Sequence, residues 1–168
     1  MCYDLVHQMR TITHIIALAL LASVTAAADI KEIAGKVVGV SDGDTLTVLD
    51  ASKTQYKIRL QGIDAPEKAQ AFGEKSKQAL SGMVFGKTVK IESKGTDRYS
   101  RTLGEVFVGT NWINRAMVEQ GWAWHYVQYS KSAELAKAEQ EAKRKGLGLW
   151  RDKEPLPPWT FRKNKRTK

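Results

Sequence analysis

The chain has one cysteine, Cys2, at its extreme N-terminus, which excludes a disulfide framework and a thiolate zinc site. Histidine is almost as scarce. His7 and His14 fall in the first 28 residues, leaving His125 alone for the body of the chain. Zincin chemistry and paired-histidine phosphodiesterase chemistry both need more imidazoles than that. Long apolar runs are missing as well. The longest, Ile15–Val24, falls far short of the ~20 residues of a membrane-spanning helix. Acidic residues are outnumbered by basic ones, 18 to 27, which leaves a net charge of +9. That excess points to an anionic partner: nucleic acid, an anionic membrane surface or a phosphorylated substrate. The apolar share of 42% and charged share of 27% are those of a globular protein, so wholesale disorder is excluded. A length of 168 residues suits one domain with extensions. Any catalysis must therefore rest on carboxylates and arginines.

Met9-Arg10, the apolar stretch to Val24 and the small residues Thr25-Ala26-Ala27-Ala28 have the order of a secretory signal peptide. Residues 1–28 are expected to be this leader, with cleavage near Ala27 or Ala28 and no membrane anchor. The expected product is periplasmic or secreted, begins near Asp29, contains no cysteine and keeps a charge of +9. A lead-in over residues 29–35 precedes a domain expected over 36–151, and residues 152–168 form a Pro-rich segment and a basic tail.

Within the domain, Val37, Val38 and Val40 predict a first strand and Leu46–Leu49 a second, joined by an Asp42-Gly43-Asp44 turn. In the third, Tyr56, Ile58 and Leu60 alternate with Lys57, Arg59 and Gln61, which puts Arg59 on the polar face. Gly73–Met83 reads as a helix, Val89-Lys90-Ile91 and Leu103–Val108 as strands, and Trp112–Gln120 as a second helix stopped by Gly121. Ser130 or Ser132 can cap a third, with Leu135, Ala138 and Ala142 on one side and Lys143-Arg144-Lys145 at its negative end. This order suggests an α+β fold, a small closed five-stranded Greek-key barrel with three helices packed on it, though order alone leaves other α+β folds open. Residues 155–158, Pro-Leu-Pro-Pro, are too proline-rich for a helix or inner strand, and the basic end after them is expected to be solvated and disordered. Trp112, Trp122 and Trp150 flank helices and are expected to pack; His125 is read as packed or surface, not as a base.

Three short segments can carry chemistry. Asp42-Gly43-Asp44-Thr45 is a hairpin turn that also offers hard carboxylates to a cation. Arg59-Leu60-Gln61-Gly62-Ile63-Asp64-Ala65-Pro66-Glu67 gathers an arginine and two acids around a rigid turn, where Asp64 can join Asp44 on one cation and Glu67 can handle water. Thr96-Asp97-Arg98-Tyr99-Ser100-Arg101 presents Arg101 as a planar fork for two phosphate oxygens.

Together, in this order and spacing, the three segments resemble the thermonuclease (staphylococcal nuclease-like) family, over about Lys36 to Trp150. The resemblance implies an OB-type barrel and a calcium-dependent phosphodiesterase that cuts DNA and RNA to leave 3′-phosphate ends. It implies Asp44, Asp64 and the backbone carbonyl of Ala65 as Ca²⁺ ligands, with Asp42 behind them. Glu67 would activate water, Arg59 and Arg101 would grip the phosphate, and Tyr99 would bind substrate beside them. Two departures stand out: Ala65 replaces the family's threonine, and the stretch between Glu67 and the next helix is short. DNA and RNA are the expected substrates and a monomer the expected state, with no stable protein partner implied.

Two other readings remain at this level. A non-catalytic OB-fold nucleic-acid-binding module would need the arginines but not the carboxylates, which repel phosphate unless a cation sits between. A protein docking on an anionic membrane or envelope polymer would use the tail. Five positive charges follow Trp159 with no acid among them, so that segment is expected to set salt-sensitive attachment to a polyanion without altering turnover.

Overall fold

The computed structural model describes residues 31–167. The signal-peptide expectation lies outside them. β1 (Glu32–Asp42), β2 (Thr45–Leu49) and β3 (Gln55–Leu60) form an antiparallel meander. After the short β4 (Ile63–Asp64) come α1 (Gly73–Val84), β5 (Thr88–Thr96), β6 (Thr102–Val108) and β7 (Asn111–Trp112). Then follow α2 (Ile113–Glu119), β8 (Trp124–His125), α3 (Ala133–Arg144), a 3-10 turn (Gly148–Arg151) and α4 (Pro158–Arg166).

The sheet closes on itself. β1 is long enough to pair with β5 through Glu32–Lys36 and with β2 through Lys36–Asp42, and two irregularities in its second half help it bend. β5 pairs with β6, and β6 returns parallel to β3, with Ile58, Arg59 and Leu60 opposite Thr102, Leu103 and Gly104. Five strands thus make the expected barrel. At the β1 crossover, Gly35 passes so close to β2 that a Cβ would lie 2.5 Å from the Leu49 carbonyl oxygen.

Period-2 alternation fills the interior with Leu46, Val48, Ile58, Leu60, Val89, Ile91 and Val106, all buried. Burying each large aliphatic side chain is worth about 1.5–3 kcal/mol. Leu80 and Val84 of α1, Ile113, Met117 and Val118 of α2, and Leu135 and Ala138 of α3 extend the same core. Ser132 caps α3, its hydroxyl accepting from the Leu135 N–H at 3.3 Å. The buried Asn114 joins α2 to the barrel. Its Oδ1 accepts from Val106 N–H (2.9 Å), and its Nδ2 donates to the Gln61 (2.9 Å) and Gly104 (3.2 Å) carbonyls. Trp112 and Trp122 pack on the core, while Trp124 meets Trp150 and Trp159 edge-on. His125 is buried on β8, opposite Ile63.

Two expectations need correction. β1 begins at Glu32 with Ile33 buried, so most of the stretch read as a lead-in belongs to the barrel. The C-terminal segment read as a disordered tail contains α4, a fourth helix. Its prolines start the helix. Pro157 stands at the cap with φ −65° and Pro158 takes the first turn, where a missing N–H costs nothing. Pro158 is buried, Trp159 stacks on Tyr126 with centroids 5.3 Å apart, and Gln70 donates to the Leu156 carbonyl. No helix among the described residues is long and apolar enough to cross a membrane.

Candidate active site

The β1–β2 turn and the end of β3 deliver the first group of residues. Asp42 accepts from the Asp44 N–H at 3.1 Å and so shapes the turn, its role in the structure being local. Gly43 lies against α1, where a Cβ would collide with the Ser76 side chain and with Ala65 Cβ. Asp44 is buried. It accepts from the Ala65 N–H at 2.7 Å and from the Thr45 hydroxyl at 3.1 Å. Arg59 crosses over from β3, its Nη1 donating to the Leu60 (3.1 Å) and Ile63 (3.0 Å) carbonyls. Its Nη2 lies 3.0 Å from Asp44 Oδ2 and 2.9 Å from Asp64 Oδ1. Burial pushes the Asp44 carboxyl up to about 8; Arg59 opposes the rise, and the nearby Asp42 and Asp64 add to it.

The β5–β6 loop supplies the second group. Asp97 accepts from the Tyr99 and Arg101 N–H groups (2.8 and 3.0 Å) and holds the Arg101 guanidinium through Nε and Nη2 (2.8 and 2.7 Å). The Asp97 carboxyl is opposed by partial burial, yet its bonds from Arg101 and Tyr99 hold it below the usual range. Arg101 thus points toward Thr45, with Nη1 3.5 Å from its hydroxyl, and so toward Asp44. Tyr99 is exposed, with the Arg98 and Arg101 guanidiniums 4.8 and 5.5 Å from its ring centre.

The third group meets α4. Glu67, half-exposed on the loop after β4, contacts Arg162, with Nη1 2.8 Å from its Oε1. The same guanidinium forks onto Asp64, Nη1 to Oδ1 at 3.1 Å and Nη2 to Oδ2 at 2.7 Å. Burial weighs against the Arg162 charge, but the bonds to Asp64 and Glu67 prevail and hold its pKa above the ordinary value.

All eight residues singled out from the sequence (Asp42, Asp44, Arg59, Asp64, Ala65, Glu67, Tyr99 and Arg101) line one cavity of about 640 Å³. What ties Ala65 into the site is its N–H. Among the described residues no group of three or more His, Cys, Asp or Glu side chains is gathered around a metal position. The Asp44–Asp64 pair nonetheless fits a hard divalent cation. Its donors are oxygens, without imidazole or thiolate. Burial disfavours ionisation of Asp44, and a cation would supply the positive charge that offsets it.

Arg162 and Asp97 escaped recognition as site residues. Asp97 lies within Thr96–Arg101, and its four-residue spacing to Arg101 is the signal for a brace. Arg162 lies 98 positions from Asp64, in the basic end expected to be a solvated tail. The segment expected to serve attachment alone also brings its first basic residue, Arg162, into the cavity.

A closed five-stranded barrel with paired carboxylates and two arginines at one mouth defines an OB-type phosphate-handling site. Comparison with known proteins narrows this. The family model described as staphylococcal nuclease homologue matches residues 57–152. A Haemophilus influenzae protein named as an uncharacterized endonuclease is 45% identical over 150 residues, covering 89% of this chain and 84% of its own. An Escherichia coli protein named ParB is 45% identical over 158 residues, covering 88% and 89%. A Shigella flexneri protein named micrococcal nuclease is 40% identical over 158 residues, covering 88% of each. The chain belongs to the staphylococcal nuclease family.

Proposed function

We propose that this protein is an exported, calcium-dependent nuclease that hydrolyses phosphodiester bonds of DNA and RNA without strong sequence preference, leaving 3′-phosphate ends. Nuclease activity is supported by the family and by relatives named endonuclease and micrococcal nuclease. The observation that carries the reading is the meeting of Asp44 and Asp64 on the Arg59 guanidinium, across one cavity from Arg101. A binder without catalysis has no use for buried carboxylates there, since they repel phosphate.

Asp44, Asp64 and the Ala65 carbonyl would hold Ca²⁺, with Asp42 shaping the turn behind them. The cation, when bound, supplies charge that offsets the charge building on phosphorus. The chain's own residues do the rest. Arg59, held by the Leu60 and Ile63 carbonyls, and Arg101, held by Asp97, supply fixed positive charge beside the non-bridging oxygens. Glu67, off the buried pair and partly open to solvent, takes the proton of the attacking water. Tyr99 offers an exposed ring and hydroxyl beside the phosphate. Export rests on the leader-like sequence of residues 1–28, and the chain is taken to act as a monomer.

The test is degradation of plasmid DNA and RNA by the mature protein with calcium and then with a calcium chelator. Cleavage of both, lost on chelation, is expected. Binding without cleavage under any divalent metal would establish the non-catalytic alternative.

A further inference from the structure

Helix α4 places a positive charge where the proposed function requires a cation. Asp64 is buried, so its oxygens can be reached only by groups that enter this cavity. Arg59 holds Oδ1 from the barrel side, and Arg162 forks across Oδ1 and Oδ2 from α4 while also engaging Glu67. The acid proposed to hold calcium and the acid proposed to activate water are thus bridged by one guanidinium. A divalent ion on Asp64 would share its oxygens with that guanidinium and sit within a few ångströms of its charge. Both effects oppose occupancy by the two at once.

Arg162 has room to leave. Its side chain is about one-third exposed, and residues 163–167 beyond it are exposed. The firm attachments of this segment, buried Pro158, the Trp159–Tyr126 stack and the Gln70–Leu156 bond, all lie before Arg162. The last turns of α4 can therefore lift while its first turn stays docked.

We propose that Arg162 is an internal competitor of the cation: its guanidinium neutralises Asp64 and Glu67 in the cation-free protein, and cation binding requires its displacement. This rests on the calcium-dependent reading above and extends it to regulation. The apparent affinity is then the intrinsic affinity reduced by the fraction of molecules with Arg162 withdrawn. A self-neutralised site stays shut until calcium reaches the level of weak extracellular sites, on the order of 10⁻⁴–10⁻³ M.

The test is calcium titration of the full mature protein and of its Arg162→Gln and Arg162→Lys variants by calorimetry, with their melting temperatures measured alongside. Arg162→Gln is expected to bind calcium about tenfold more tightly. Arg162→Lys should fall between, because an ammonium cannot fork across both oxygens. Equal or weaker binding by Arg162→Gln, with a lowered melting temperature, would show a purely structural contact and overturn the proposal, leaving calcium-dependent cleavage intact. Failure of all three proteins to bind calcium at millimolar concentration would overturn the proposal together with the calcium reading.

Discussion

One nitrogen of Arg59, Nη2, lies 3.0 Å from Asp44 and 2.9 Å from Asp64, so a single guanidinium is shared by the two buried carboxylates of the site. Removing one partner of a buried ion pair leaves uncompensated charge, at a cost of about 3–5 kcal/mol. Arg59→Ala should therefore lower stability by several kcal/mol and cut turnover by at least ~10²-fold. Arg59→Lys should recover part of the stability and little of the rate, because an ammonium cannot reach both acids and the carbonyls behind them. Denaturant unfolding with single-turnover cleavage separates the two effects.

Glu67 presents the opposite case. Its carboxylate is partly exposed and its side-chain bond is to Arg162. Glu67→Gln keeps an acceptor for that bond but gives up proton acceptance, so turnover should fall by ~10²-fold or more with the melting temperature almost unchanged. Near-normal cleavage by this variant would remove Glu67 from the role of base.

Asp97 links the Arg101 brace to pH. Its pKa is lowered from the ordinary 3.8, so it binds protons less readily when folded than when unfolded. Its contribution to stability is complete above the unfolded value and fades as pH falls through the folded one. The stability difference between wild type and Asp97→Asn should be largest near neutrality and shrink below about pH 3.8. Arg101→Ala, by contrast, should leave the fold intact and cut turnover by ~10²–10³-fold.

The close approach at Gly43 predicts a lesion of position. Gly43→Ala drives a methyl into Ser76, whose hydroxyl is committed to the Trp122 carbonyl at 2.7 Å. The turn must shift and carry Asp42 and Asp44 with it. Calcium affinity and turnover should both drop, and compensating Ser76→Gly should restore part of each.

Asn114 tests the frame beneath the site. Asn114→Ala would leave the buried Val106 N–H without its acceptor and free the Gln61 carbonyl at the end of β3. A loss of about 1–3 kcal/mol is expected for the unsatisfied group, measured by denaturant unfolding.

Much of this molecule was legible in the residues. Ile58 and Leu60 alternating with Arg59 stated which side of β3 is buried and which faces the site, because a strand's side chains have period 2. Asp-Gly-Asp marked the β1–β2 turn, and Ser130 or Ser132 marked the start of α3, where the structure uses Ser132. The chemistry was legible for the same reason: acids and arginines lie in three short segments next to turns, where local backbone rules place them. The start of β1 was harder to read, because Glu32–Lys36 pairs with β5 from far along the chain and carries little local signal.

The sequence by itself determined the order of strands and helices, the three segments that carry the acids and arginines, and the positive balance that calls for a polyanion; the barrel and the roles of those residues came from their resemblance to a family. Element order, turns and net charge follow from periodicity, turn chemistry and composition, all of them local or additive. Only the tertiary structure decided that Asp44 and Asp64 share one nitrogen, that Asp97 steers Arg101, and that Arg162 returns from the far end of the chain to sit on Asp64. Those contacts span up to 98 positions and depend on strand closure and helix docking, which no short-range pattern encodes. The prolines before α4 show the difference plainly. Read locally they forbid a helix; placed at its cap and first turn, they begin the one that carries Arg162 into the site.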